Sequence, residues 1–183
     1  EASNKAKDIK ILDVPSLYQS HNAPPDGWCG SASIEMVLSY YGLKYTQKQI
    51  NKKNLSGNPT IYLDDLVPVI EKITKNKYKA HLLRFFSIDS YKDWIKNQIN
   101  SGKPVIATFK INPTKKPEWT IDHFSVISGY DENGLYILTT WRNDSKQYRS
   151  WEQLLSQGMN GLSFVGSNQW VKDELFIAFD IYE

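Results

Sequence analysis

The stretch DGWCGSASIEMVLSYYG, residues 26–42, decides how the rest of the chain is read. The Pro-Pro and Asp-Gly pairs leading into it break regular structure, and apolar residues then return at helical intervals. Ala32, Met36 and Tyr40 fall on one face, and Ile34, Leu38 and Tyr41 on another, so the helix is expected to lie in the core, with Gly42 as its stop. The sole cysteine, Cys29, opens this helix and is followed by Gly30. Backbone N–H groups and the helix dipole favour negative charge there, so the thiol pKa is expected to fall and Cys29 to act as a nucleophile. The competing reading is a small buried hydrophobe, as most free cysteines are. Position alone leaves the two near parity.

Outward from this helix, the first ten residues, EASNKAKDIK, read as a flexible lead-in, and ILDVPSLYQ as a short extended segment, because Pro15 biases Val14 away from helix. Thr46 caps a short helix in YTQKQINKKN, and Asp64 or Asp65 caps another in LDDLVPVIEKITKN with Leu66, Val67, Ile70 and Ile73 inward. SYKDWIKNQINSG gives a further helix, with Tyr91, Trp94, Ile95 and Ile99 on one side and Gly102 at its end. From there the period changes. PVIATFKI, HFSVISGY, GLYILTTW and ELFIAFDIY are β-branched and aromatic, separated by turn signals, and read as a mostly antiparallel sheet; YKAHLLRFF is a further candidate strand. With helices gathered in the first half and strands in the second, the class is α+β.

The 183 residues, 40% hydrophobic, suit a single globular domain over 1–183. A formal charge of +2, from 22 Lys and Arg against 20 Asp and Glu, is too slight to imply a nucleic-acid partner. No apolar run approaches the roughly 18 residues of a membrane span. One cysteine excludes an intrachain disulfide and a thiolate-rich zinc site, and the three His are too scattered for the usual ligand spacings, so neither a metal nor another cofactor is expected. Because the chain starts with Glu1 rather than Met, a processed or engineered start is expected, with any export signal already removed.

A thiolate needs a base that can also serve as acid, and the choices are His21, His81 and His123. His21 lies in the loop before Cys29, and His81 in an amphipathic segment. His123 opens the apolar strand HFSVISGYD, which holds its ring on a rigid scaffold, and is the preferred partner.

These features resemble the papain-like cysteine peptidases, and most closely the bacterial peptidase C39-like family. The matching segments are VPSLYQ, WCGSASIEMVLSYYG and HFSVISGYDENGLYIL, over about residues 12–141 with gaps. The resemblance implies a papain-like fold in which the nucleophile helix packs on the antiparallel sheet. It also implies roles. Cys29 attacks an acyl carbon, His123 relays the proton, and the side-chain amide of Gln19 joins the Cys29 N–H in holding the oxyanion. The family's next position, Asn or Asp orienting the imidazole, falls on Thr139, which carries neither group. Asn143 and Asp144 are possible substitutes, and Asp122 a poorer one, since adjacent strand residues face opposite ways. Trp141 resembles the tryptophan that shields this pair. Trp28, Trp119 and Trp141, with Tyr18, are expected near a groove that binds a peptide or protein substrate.

The resulting expectation is a monomeric bacterial cysteine peptidase or related thiol amide hydrolase, secreted or in the cell envelope. The same Cys-His pair would also serve an acyl transferase or glutamine deamidase. Thr139 keeps open a catalytically inactive, peptide-binding pseudopeptidase.

Overall fold

The computed structural model describes residues 8–22, 27–111, 121–156, 161–164 and 176–183. Most of the expected lead-in, residues 1–7, lies outside them, and by Lys10 the chain is already in a strand, β1 (Lys10–Ile11). Helices α1 (Cys29–Tyr40), α2 (Gln47–Asn51) and α3 (Leu66–Ile73) follow, the last entered through a 3-10 turn at Leu63–Asp65. Next come β2 (Lys79–Arg84), α4 (Ile88–Asn100), β3 (Val105–Ile111), β4 (Ile121–Tyr130) and β5 (Gly134–Leu138). Then come β6 (Lys146–Ser150), α5 (Trp151–Leu155), β7 (Leu162–Ser163) and β8 (Ile177–Tyr182).

Helix α1 buries Ala32, Ile34, Met36, Val37 and Leu38 completely or nearly so, as an all-round apolar pattern requires. Each large side chain removed from water contributes about 1.5–3 kcal/mol. Its first turn is built from small residues. A Cβ added at Gly30 would stand 3.1 Å from Ile61 Cβ, so the absence of a side chain lets residue 61 press against the helix start beside Cys29. At the other end Gly42, at φ +81°, donates its N–H to Ser39 O, and Leu43 N–H reaches Leu38 O. Such a left-handed closure favours glycine. Helix α4 ends the same way at Gly102, φ +76°, with Lys103 N–H on Gln98 O.

Among the described residues all strand pairings are antiparallel, in the order β2-β8-β3-β4-β5-β6, with β1 also on β4 and β7 also on β3. Strand β8 slots between β2 and β3, a closure by the end of the chain that no local pattern foretells. Helix α1 crosses β4, so the Cys29 end of the helix meets the strand that carries His123. This is the expected α+β arrangement, a buried helix packed on a mostly antiparallel sheet. Strand β5 stops at Leu138, short of the GLYILTTW run, because Thr140 turns into the left-handed region at φ +74°.

Candidate active site

Gln19 is buried at the end of the extended segment, and its position is fixed from both sides. Its own N–H donates to Thr140 O at 2.7 Å. Flanking it, the side chain of Gln47 donates to Tyr18 O (2.9 Å) and accepts from Ser20 N–H (2.8 Å), while also donating to Glu35 Oε2 on α1 (2.8 Å). One amide at the start of α2 thus clamps residues 18–20 to α1. The Gln19 side chain accepts from Thr140 Oγ1 at 2.8 Å through Oε1 and donates weakly from Nε2 to His21 O at 3.3 Å. Its Nε2 lies against Gly27, two residues before Cys29: a Cβ there would come within 2.8 Å of it. Gly27 is itself held by Thr60, whose hydroxyl donates to Gly27 O at 3.0 Å.

Cys29 is half-buried at the first residue of α1, and the main-chain N–H groups of Phe124, Gly30 and Cys29 itself are directed at its sulfur. Those donors favour the thiolate, as does a helix start. Burial outweighs them and pushes the thiol above its ordinary value, with a smaller upward push from the Asp122 carboxylate. The expected fall in pKa is therefore reversed: burial desolvates the sulfur more than the main-chain donors and the helix end stabilise its charge.

His123 is buried on β4, one residue from the Phe124 N–H that faces the sulfur. Its Nε2 lies 2.7 Å from Thr139 O and 3.3 Å from Thr140 Oγ1. A carbonyl can only accept, so the ring proton sits on Nε2 and Nδ1 keeps its lone pair. The Trp141 ring stacks on the imidazole at 4.8 Å between centroids, 29° from parallel. Burial lowers the His123 pKa from 6.5 to about 4, against the upward pull of the Thr139 carbonyl, so the ring is neutral near pH 7. Near pH 7 the Cys29 thiol and the His123 imidazole are thus both neutral.

Thr139 meets His123 through its main-chain oxygen. Its hydroxyl turns away to donate to Asp144 O, and accepts from Trp141 N–H. The Asp144 carboxylate accepts from Gln147, Asn143 is exposed, and Asp122 is exposed in a pair with Lys110. His21 lies beside the Trp28 ring, 5.5 Å between centroids, and His81 beside Tyr182. Trp119 falls outside the described residues. Tyr18 is exposed under the guanidinium of Arg142, 4.4 Å from the ring centre. Among the described residues no group of three or more His, Cys, Asp or Glu is placed to hold a metal ion.

The structure thus brings Gln19, His123, Thr139 and Trp141 into one hydrogen-bonded and stacked cluster, with the Cys29 sulfur against the same strand. It adds Thr140, Gln47, Gly27 and Thr60, which the sequence reading did not single out. Of these, only Gly27 carried a sequence signal, as half of the Asp-Gly break.

The sequence matches the model of the Peptidase C39 like family over residues 11–159. No curated protein matches it. Among solved structures, a protein from Bacillus anthracis described as a C39-like peptidase aligns at a TM-score of 0.62 with 18% identity, covering 96% of this chain and 98% of that one. The double glycine motif protease from an AMS/PCAT transporter, solved with its leader peptide, aligns at 0.58 with 15% identity, covering 94% and 93%. The peptidase domain of Streptococcus ComA, a bifunctional ABC transporter of a quorum-sensing pathway, aligns at 0.53 with 14% identity, covering 84% and 89%.

Proposed function

The chain belongs to the Peptidase C39 like family, and from that premise we propose that it is a cysteine peptidase that cleaves amide bonds in peptides or proteins. Cys29 is the nucleophile, His123 the base and acid, and Gln19 the side-chain donor of the oxyanion site. The observation that carries the reading is the imidazole of His123, held at Nε2 by Thr139 O at 2.7 Å and covered by Trp141, beside the strand that faces the Cys29 sulfur.

As the sulfur attacks the acyl carbon, the thiol proton passes to His123 Nδ1. The charge on the imidazolium is stabilised by the Thr139 carbonyl, in the position where an amide or carboxylate side chain would otherwise stand. The carbonyl oxygen of the substrate becomes an oxyanion, and in this reading the Gln19 amide nitrogen and the N–H of Cys29 turn to donate to it. His123 then returns its proton to the leaving amine, the amine departs, and a thioester remains on Cys29. Water attacks the thioester with His123 again as base, releasing the acid and restoring the thiol.

The AMS/PCAT transporter protease was solved with a leader peptide, and the substrate class proposed is a peptide or protein. Tyr18, Trp28 and Trp141 are proposed to border its path, and a bacterial secreted or cell-envelope location and a monomeric state belong to the same proposal.

The test is labelling by a peptidyl aldehyde or chloromethyl ketone, read by intact mass and peptide mapping. One adduct on Cys29, absent in Cys29→Ala and much slower in His123→Ala, is expected. Equal labelling rates in native protein and His123→Ala would remove His123 from the role given to it.

A further inference from the structure

Thr140 is almost fully buried, at 1% exposure, and it is a β-branched residue held at φ +74°. That conformation costs about 1–3 kcal/mol and persists only where the surroundings impose it. Here its effect is to place the two oxygens of one residue on two parts of the site: the carbonyl on the Gln19 N–H (2.7 Å), and the hydroxyl on both Gln19 Oε1 (2.8 Å) and His123 Nε2 (3.3 Å).

The directions of these bonds follow from chemistry. A hydroxyl has one proton to give. With the amide oxygen toward it, that proton goes to Gln19, and the hydroxyl can only accept from His123 Nε2–H. The ring proton is already fixed on Nε2 by the Thr139 carbonyl at 2.7 Å, so if the amide were reversed its N–H and the ring N–H would both point at the hydroxyl oxygen. The hydroxyl proton would then lose Gln19 Oε1 as its acceptor inside a buried site. The hydroxyl proton therefore selects the amide orientation with Oε1 toward it, which leaves the Gln19 nitrogen against Gly27.

We infer that Thr140 is a positioning residue: with the His123 ring proton held on Nε2 by the Thr139 carbonyl, the Thr140 hydroxyl proton fixes the Gln19 amide with Oε1 toward residue 140 and its nitrogen toward Gly27. The inference rests on the proposed roles of His123 and Gln19, and deepens them.

The test uses the full chain with Thr140→Val, which keeps shape and backbone strain but lacks the hydroxyl, Thr140→Gly, which relieves the strain and lacks the hydroxyl, and Thr140→Ser, which keeps it. Readouts are the 15N spectrum of the His123 ring, the side-chain amide resonances of Gln19, and kcat and KM on a cleaved peptide. Expected for Val and Gly are an unchanged His123 tautomer signature, displaced Gln19 resonances, and a fall in kcat of about 10- to 100-fold with little change in KM, as for removal of a group that orients a reacting side chain. Serine should restore the Gln19 resonances and kcat. The glycine variant separates the hydroxyl from the strained backbone, because it relieves the strain yet should still be impaired. Native Gln19 amide signals in both Val and Gly would overturn the inference. Altered Gln19 signals in a protein whose native form cleaves no peptide would uphold the positioning role and sink the peptidase reading instead.

Discussion

Lowering the pH should destabilise this protein through His123 before its carboxylates become protonated. In the unfolded chain the imidazole titrates near its ordinary 6.5, whereas burial lowers it to about 4 in the folded protein. Between those values the unfolded state binds the extra proton, so the stability associated with the neutral ring is full above about 6.5 and is lost as the pH falls toward 4. At about 1.4 kcal/mol per tenfold change in acidity, the interval corresponds to roughly 3 kcal/mol. The Thr139 carbonyl acts in the opposite sense but does not cancel the desolvation. Urea unfolding followed by tryptophan fluorescence, at pH values from 7 to 4, measures the effect against His123→Gln, whose side chain stays neutral throughout. The gap between native protein and variant should shift by up to about 3 kcal/mol in favour of the variant. Asp65 is also buried, but hydrogen bonds from Asn58, the Tyr62 N–H and Asn54 hold its carboxyl below the usual range. Its contribution is lost only at lower pH and cancels between the two proteins. Parallel loss of stability across the window would refute the buried, neutral imidazole.

Cys29 gives the alkaline counterpart. Because burial holds its thiol up, alkylation by iodoacetamide should stay slow through neutrality and rise only above the roughly 8.5 of a free thiol; fast reaction at pH 6 would mean a resting ion pair with His123. Gly27→Ala places a methyl group 2.8 Å from Gln19 Nε2 at a position outside the left-handed backbone region, so kcat should fall about tenfold or more while the urea midpoint barely moves. An unchanged kcat would detach the Gln19 amide from the oxyanion role. Gln47→Leu removes the clamp on residues 18–20 and leaves the half-buried Glu35 contact unmatched; stability should drop by about 1–3 kcal/mol together with kcat, and a loss of neither would make the clamp incidental.

How much of this was legible in the sequence depends on the range of the forces involved. Helix α1 and its closure at Gly42, the Thr46 cap of α2 and the Gly102 end of α4 are local events, decided by residues within one or two turns, and each stands where the pattern placed it. The insertion of β8 between β2 and β3 depends on pairing across about a hundred residues and leaves no local mark. Gln19 was singled out through the family resemblance and His123 through the apolar strand that it opens, but the groups that connect them were not. Thr140 lies 121 residues from Gln19, and no residue-type preference announces a threonine at positive φ. The oxygen on His123 belongs to the main chain of Thr139, so the search for an acidic or amide side chain at that position addressed the right place with the wrong kind of group in mind. The thiol was misjudged for a related reason. A helix start is visible in sequence, whereas the burial that outweighs it comes from tertiary packing.

The central claim is that Cys29 breaks amide bonds with the help of His123. It is tested most directly by incubating the native chain and Cys29→Ala with a mixed peptide library and identifying new termini by mass spectrometry, with circular dichroism to confirm that both are folded. Cleavage by the native protein and none by the variant is the predicted result. Cleavage that survives in Cys29→Ala, or a folded native protein that cuts no peptide, would contradict it.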